Sequence, residues 1–224
     1  MIRALAREEM PFIFELAAAE GWNSRRYDAA PFFAADPNGF FVAEADTGFA
    51  GCIAAVRYKT FGFIGMFIVR AELRGKGIGT SLFKHALAYL DDLPIGLDAV
   101  LEQEPRYEGF GFRRAYTNVR YRAGEILPRE HHASGVRIER LRVLDDDVIE
   151  YDRRCFGSAR PEFLQSWVAQ PDVVARAARS LHDGTILGYG VGREARTGTK
   201  IGPLFASRLD VASLLFDVDR KSVV

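Results

Sequence analysis

Residues 74–79, Arg-Gly-Lys-Gly-Ile-Gly, carry the clearest chemistry in the sequence. Glycines let the backbone turn tightly and come close to a ligand with no Cβ in the way. An apolar run, FGFIGMFIV (61–69), precedes them, and an amphipathic stretch, TSLFKHALAYL, follows. At such a junction the unpaired amides of a helix's first turn, and the positive end of its dipole, face the glycines. That is an anion site suited to a pyrophosphate, with Arg74 and Lys76 adding charge at its rim. The spacing is not that of a Walker loop, which needs GxxxxGK and then Ser or Thr. Nor is it the dinucleotide fingerprint, because Ile78, Gly79 and Thr80 follow Gly77 with no third glycine in register.

Other chemistry-bearing residues are scattered. Cys52 and Cys155 have neither CxxC nor zinc spacing and are expected to be buried reduced thiols. The four histidines lack ligand spacing, and His131-His132 reads as an exposed linker, so no metal is expected. Thirty basic and thirty acidic residues cancel, which removes the broad positive field of nonspecific nucleic-acid binding. No apolar run approaches the roughly 20 residues that span a bilayer. The start, MIRALAREEMPFIF, places acidic residues where a signal peptide would be apolar. A cytoplasmic protein without nucleic-acid or membrane partners is expected.

The elements that must position the glycine turn can be read from periodicity. Residues 2–5 read as a short strand. From about Glu8 to Glu20, Phe12, Ile13, Leu16 and Ala17 fall on one helix face. Pro11 sits in the first turn, where a missing N–H costs little, and Gly21 closes the helix. The following EGWNSRRYDAAPFF reads as loop and short helix. Two β-rich runs then flank Asp46-Thr47-Gly48 as a hairpin. The run 61–69 is apolar enough for a central strand. After the glycine turn, Ile78, Leu82, Ala86 and Leu90 form one helical stripe, with Phe83 and Leu87 beside it. Pro94 ends that helix, IGLDAV (95–100) returns as a strand, and RRAYTNVRYRA (113–123) reads as another. Strand, helices, hairpin, central strand, turn, helix, strand, strand is an α/β domain with a mixed sheet, expected over residues 1–124. The polar residues 125–135 read as a linker.

Across residues 136–224 the pattern repeats. VRIERL (136–141) echoes IRAL and is followed by a helical DDDVIEYDRRCF. TILGYGVGR (185–193) parallels FAGCIAAVR (49–57), and IGPLFA (201–206) parallels IGMFIV (64–69). An apolar helical segment with Ser213-Leu214 stands where Ser81-Leu82 stood. No second RGKGIG separates strand from helix, so the expectation is an internal duplication whose second copy lost its glycine turn.

The stretch VRAELRGKGIGTSLF resembles the signature of the GNAT acetyltransferase superfamily, with Arg74, Gly77 and Gly79 in the defining positions. YEGFGF (107–112) resembles the superfamily's Tyr-x-x-x-Gly-Phe motif through Tyr107, Gly111 and Phe112. The two occur in order and correctly spaced, and the resemblance covers about residues 2–123. YDRRCFGSARPEFLQSW, GYGVGR and IGPLFA resemble the narrower bacterial YitH-like group, which carries a degenerate second GNAT-like domain. In that group the second domain continues through more strands, so a short or incomplete one is expected here.

The resemblance implies a GNAT-like fold binding acetyl-CoA. Backbone of Phe67, Ile68 and Val69 would pair with the pantetheine arm, and residues 74–80 (Arg74, Gly75, Lys76, Gly77, Ile78, Gly79, Thr80) would hold the pyrophosphate. It also implies that Tyr107, protonated at neutral pH, donates a proton to the departing thiolate. Trp22, Asn23 and Asp28 fall in the loop that often lines the acceptor site. Glu44, Glu102 and Glu104 are weighed as general base, each reading better as a surface carboxylate. Val100 stands where many relatives carry asparagine. The expected reaction is acetyl transfer to a primary amine of a small molecule or peptide. A non-catalytic acyl-CoA-binding or sensing module is the alternative, and a homodimer paired through the second half is a third reading.

Overall fold

The computed structural model describes residues 1–46, 48–124 and 131–221; Thr47 of the hairpin and residues 125–130 of the expected linker lie outside them. The first half begins with β1 (Ile2–Ala4), α1 (Met10–Ala19) and α2 (Ala29–Ala35). It continues through β2 (Phe40–Ala45), β3 (Gly48–Arg57), β4 (Gly62–Val69), α3 (Ile78–Tyr89), β5 (Ile95–Leu97) and the single turn α4 (Glu104–Glu108). The strands form one sheet in the order β1-β2-β3-β4-β5, antiparallel except for the parallel β4–β5 pair. β4 is therefore interior, as its apolar run predicts.

Strand periodicity divides this sheet's core between two faces. Phe40, Val42, Cys52, Ala54 and Ile68 pack with Met10, Ile13, Phe14 and Ala17 of α1. Phe41, Ala43, Ile53, Ala55 and Ile64 pack with Leu82, Phe83, Ala86 and the following Leu90 on the α3 side. Of the helical stripe expected at residues 78, 82, 86 and 90, the last three are fully buried and Ile78, in the first turn, is half-buried.

The second half repeats the order. It runs β6 (Val136–Arg140), α5 (Asp146–Phe156), α6 (Pro161–Val168), β7 (Val173–Ser180), β8 (Ile186–Glu194), β9 (Thr199–Ala206) and α7 (Leu209–Lys221), with sheet order β6-β7-β8-β9. Asp145 caps α5 by accepting from the Val148 amide, and Gly157, with φ 95°, ends it in the left-handed region. Both halves carry an irregularity in corresponding places. Met66 and Phe67 of β4 face Ile53 alone, and Gly202 and Pro203 of β9 face Val191 alone. The duplication thus reaches the strand register. What differs is the next connection: only residues 207 and 208 join β9 to α7, against 70–77 between β4 and α3.

The two halves pack mainly through α2 and α6, the same element of each copy. Phe32 meets Phe163 at 5.6 Å and Trp167 at 6.0 Å. Polar contacts surround this core. Asn23 exchanges two hydrogen bonds with the Thr197 backbone, and Thr60 Oγ1 donates to the Gly157 carbonyl. No helix among the described residues is long and apolar enough to cross a membrane.

Two expectations are corrected. Residues 113–123 form no strand and are exposed, Tyr121 most of all at 94%. β-propensity is expressed only against a partner edge within ladder distance. Here a cavity separates the segment from β5, and side chains hold it instead: Arg114 to Glu104, and Asn118 to Asp98 at 2.7 Å. The strand expected over 95–100 likewise stops at Leu97. Cys52 is buried as expected, but Cys155 is exposed. It continues the inner stripe of Val148, Tyr151 and Asp152 on α5, yet the surface it faces is that cavity.

Candidate active site

β4 and β5 separate where the glycine turn begins. Their ladder runs through Gly62↔Ile95, Phe63↔Gly96 and Ile64↔Leu97 and goes no further. At the next residues β4 bulges: Cys52 pairs with Ile68 but Ala54 pairs with Gly65. Met66, φ 46°, is a non-glycine residue in the left-handed region, and Cys52 Sγ donates to its carbonyl at 3.3 Å. A bulge bends a strand and strengthens its twist. Here it turns the residue 67–69 backbone away from β5 and leaves it without a ladder on that side.

The turn itself has the geometry its glycines foretell. Gly75 and Gly77 have φ of 77° and 80°, and a Cβ at either would meet no atom within 4 Å, so both face open space. Gly77 is the N-cap of α3 and brings no capping side chain. The first amides of α3, at Ile78, Gly79 and Thr80, are therefore left for an external acceptor. Gly79 is confined: a Cβ there would lie 3.3 Å from Phe67 and 3.4 Å from Val69. Helix start and bulged strand thus touch through a glycine, and the residues fit a phosphate-bearing ligand with an extended arm.

Charge at the turn is distributed differently from the expectation. Arg74 reaches backward: Nε donates to the Val69 carbonyl at 2.9 Å and Nη2 pairs with Glu20. It braces the turn against β4 and the end of α1. Lys76 remains exposed at the rim. The cation beside the first turn of α3, on its β4 side, is Arg106, which the sequence reading passed over. Its Nη2 would lie 3.0 Å from a Cβ on Gly79, and its guanidinium sits 5.6 Å from the Phe67 ring centroid. A basic residue immediately before the motif tyrosine was the available signal.

Tyr107 follows on α4. Its ring packs against Phe83 of α3 at 5.4 Å and Phe112 at 6.4 Å. Burial pushes its hydroxyl pKa upward, opposed by the neighbouring Arg106 charge, so it holds its proton at neutral pH. Tyr107 also lines a cavity of about 850 Å³ between β5, the 113–118 segment and the second half, where Cys155, Phe156 and Phe205 close the wall.

The remaining expected site residues lie elsewhere. Trp22 is 43% exposed. Asn23 is engaged with Thr197. Asp28 is buried against Arg193 of β8, 2.8 Å away, and accepts from the Arg25 amide. Asn23 and Asp28 thus join the halves, and the loop after α1 is covered by the β8–β9 hairpin. Glu44 pairs with Arg3 at 2.9 Å on the β1–β2 side of the sheet, Glu104 pairs with Arg114, and Glu102 is exposed. Val100, 63% exposed, lines the cavity.

Comparison with known proteins agrees with this geometry. A profile described as "Acetyltransferase (GNAT) family" matches residues 2–112, and one described as "Acetyltransferase (GNAT) domain" matches residues 148–221. The holothin acyltransferase of Pseudoalteromonas sp. (strain SANK 73390) is 27% identical over 212 residues, 93% of this chain and 70% of that protein. The uncharacterized N-acetyltransferase YitH of Bacillus subtilis (strain 168) is 24% identical over 213 residues, 93% of this chain and 74% of that one. A Pyrococcus horikoshii crystal structure, solved as a candidate acetyltransferase, shares the fold with a TM-score of 0.79 at 22% identity, over 99% of this chain and 76% of that one. With a bulged fourth strand, a glycine turn opening α3 and a second matching half, the chain belongs to the GNAT acetyltransferase family, whose chemistry is acyl transfer, and carries a second GNAT-like domain.

Proposed function

We propose that the chain is an N-acetyltransferase moving an acetyl group from acetyl-CoA to a primary amine of a small molecule or peptide. One observation carries the reading: two left-handed glycines with open space above them begin a helix directly beside the strand that has parted from its neighbour. The donor supplies an activated acyl carbon as a thioester. Amides at the start of α3 bind its phosphates without a counter-charge, because the helix dipole already favours anions there. Arg106 and Lys76 add positive charge at the same mouth, and Arg74 fixes the turn through Val69 and Glu20. The free edge of residues 67–69 offers backbone groups to an extended amide-bearing arm.

Tyr107 is the proton donor in this reading. A thiolate leaves more readily when protonated, and a phenol whose pKa burial has raised stays protonated through the neutral range. Glu44 and Glu104 are paired with Arg3 and Arg114, and Glu102 is not on the cavity lining, so none of the three is assigned as the base in this reading. A cytoplasmic location and the absence of nucleic-acid and membrane partners belong to the same proposal.

Calorimetric titration with acetyl-CoA, repeated on Gly77→Glu, tests the reading. Binding by the wild type that vanishes in the variant supports the donor and its place, because glutamate brings both bulk and negative charge to the phosphate mouth. A folded wild type that binds no acetyl-CoA would sink it.

A further inference from the structure

We propose that the cavity between the two halves is the acceptor site, and that it takes a primary amine carried on a flat aromatic body. This rests on the acyl-transfer reading above and deepens it.

The position comes first. Tyr107 packs on Phe83 in the same cluster as Phe67 and Val69, beside the glycine turn, and it also lines the cavity. A molecule in the cavity therefore meets Tyr107 and Phe112, two residues that border both it and the donor side. At about 850 Å³ the space suits a small molecule with room for substituents.

The walls select the body. Phe61, Phe63 and Phe112 come from the first half, and Phe156 and Phe205 from the second. Rings favour offset or edge-on contact with another ring, and their faces attract an ammonium. Charge on the lining favours a cation over a second acid. Asp98, Glu104 and Glu108 outnumber Arg113 and Arg114; Glu104 is paired with Arg114, whose charge also feels Glu108, which leaves the lining one acid in excess. The same arrangement gives the second half a task. Without a glycine turn it offers no phosphate cradle, yet α5 and β9 complete the cavity wall.

In the transfer, the amine nitrogen bonds to the acyl carbon as the carbon–sulfur bond breaks. The proton released from nitrogen is balanced by the one that ends on the departing thiol, and no oxidant or reductant is needed.

The test is calorimetric titration of the full chain with tryptamine and, separately, spermidine, each without donor, alongside acetyl-CoA. Two variants accompany the wild type. Cys155→Arg alters an exposed helical position at the cavity and should leave the fold intact; Phe205→Ala removes a wall ring. Tryptamine should bind the wild type, with its affinity lowered at least tenfold by each variant, while acetyl-CoA affinity stays unchanged. Tryptamine binding that ignores Cys155→Arg overturns the site, and equal or tighter spermidine binding overturns the aromatic class. A wild type that binds acetyl-CoA but not tryptamine overturns this proposal and leaves the donor reading standing. One that binds tryptamine but not acetyl-CoA overturns the acceptor role together with the reading beneath it.

Discussion

Asp28 Oδ1 lies 2.8 Å from Arg193 Nη1, and both side chains are buried although one precedes α2 and the other ends β8. The Arg193 guanidinium also sits 4.7 Å from the Trp167 ring centroid. Burial pulls the Arg193 pKa down, nearby Arg25 adds to that, and Asp28 opposes it. The two halves are therefore joined by an ion pair that depends on both partners.

Removing one partner leaves an uncompensated charge in the interface. Asp28→Ala is expected to lower stability by about 3–5 kcal/mol. Arg193→Met in the same chain should recover part of that loss, because no buried charge then remains. Urea unfolding of the two single variants and the double variant measures the coupling. Strictly additive losses would show that the pair contributes nothing as a pair.

Gly77→Ala separates backbone strain from blockade. With φ at 80°, an alanine should cost about 1–2 kcal/mol. Since a Cβ there meets nothing within 4 Å, the fold should survive. Acetyl-CoA affinity should fall, less than for Gly77→Glu. Thermal melting and calorimetry on the same preparation read the two effects apart.

Tyr107→Phe keeps the ring against Phe83 and removes the hydroxyl. Turnover should drop by about 10²–10⁴-fold with acetyl-CoA binding unchanged. In the wild type the protonated phenol is the active form and burial raises its pKa. Loss of that proton should therefore cut turnover only above the ordinary tyrosine range near pH 10, whereas the amine's own deprotonation governs the acid limb. An alkaline limb that persists unaltered in the residual activity of Tyr107→Phe would assign that limb to another group.

Tyr89 carries a different pH signature. Its hydroxyl donates to both oxygens of buried Asp36, at 3.0 and 3.1 Å. Burial, and then the Asp36 charge, push its pKa to about 12. A raised folded-state pKa gives stability that is complete below the unfolded value near 10 and is lost as pH rises through 12. Denaturant unfolding from pH 8 to 12 should show that decline in the wild type, and Tyr89→Phe should make it shallower, with Tyr189, Tyr58 and Cys52, whose pKa values burial also raises, carrying the rest.

Asn118 shows where local reading stopped. Residues 113–123 have the composition of a strand, and a strand was expected there. The ladder partner is missing where a cavity, walled in part by the second half, lies between the segment and β5, and neither is encoded near residue 113. Arg106 was overlooked for a related reason. Its role follows from lying across from Gly79, 27 positions away, and only packing of α4 on α3 brings them together.

The sequence by itself determined what depends on neighbours along the chain. The glycine turn needs left-handed backbone, α3 needs its apolar stripe, and the sheet's two faces follow from strand alternation; each appears where local pattern put it. The repeat was equally legible, because the same local preferences recur in the same order. Tertiary structure alone decided what Asn23, Asp28 and Cys155 face. A loop residue or a helix-end thiol carries no periodicity, so its surroundings are fixed by which surface folds onto it. Here that surface is the second half: it takes Asn23 and Asp28 into the interface and leaves Cys155 beside the cavity.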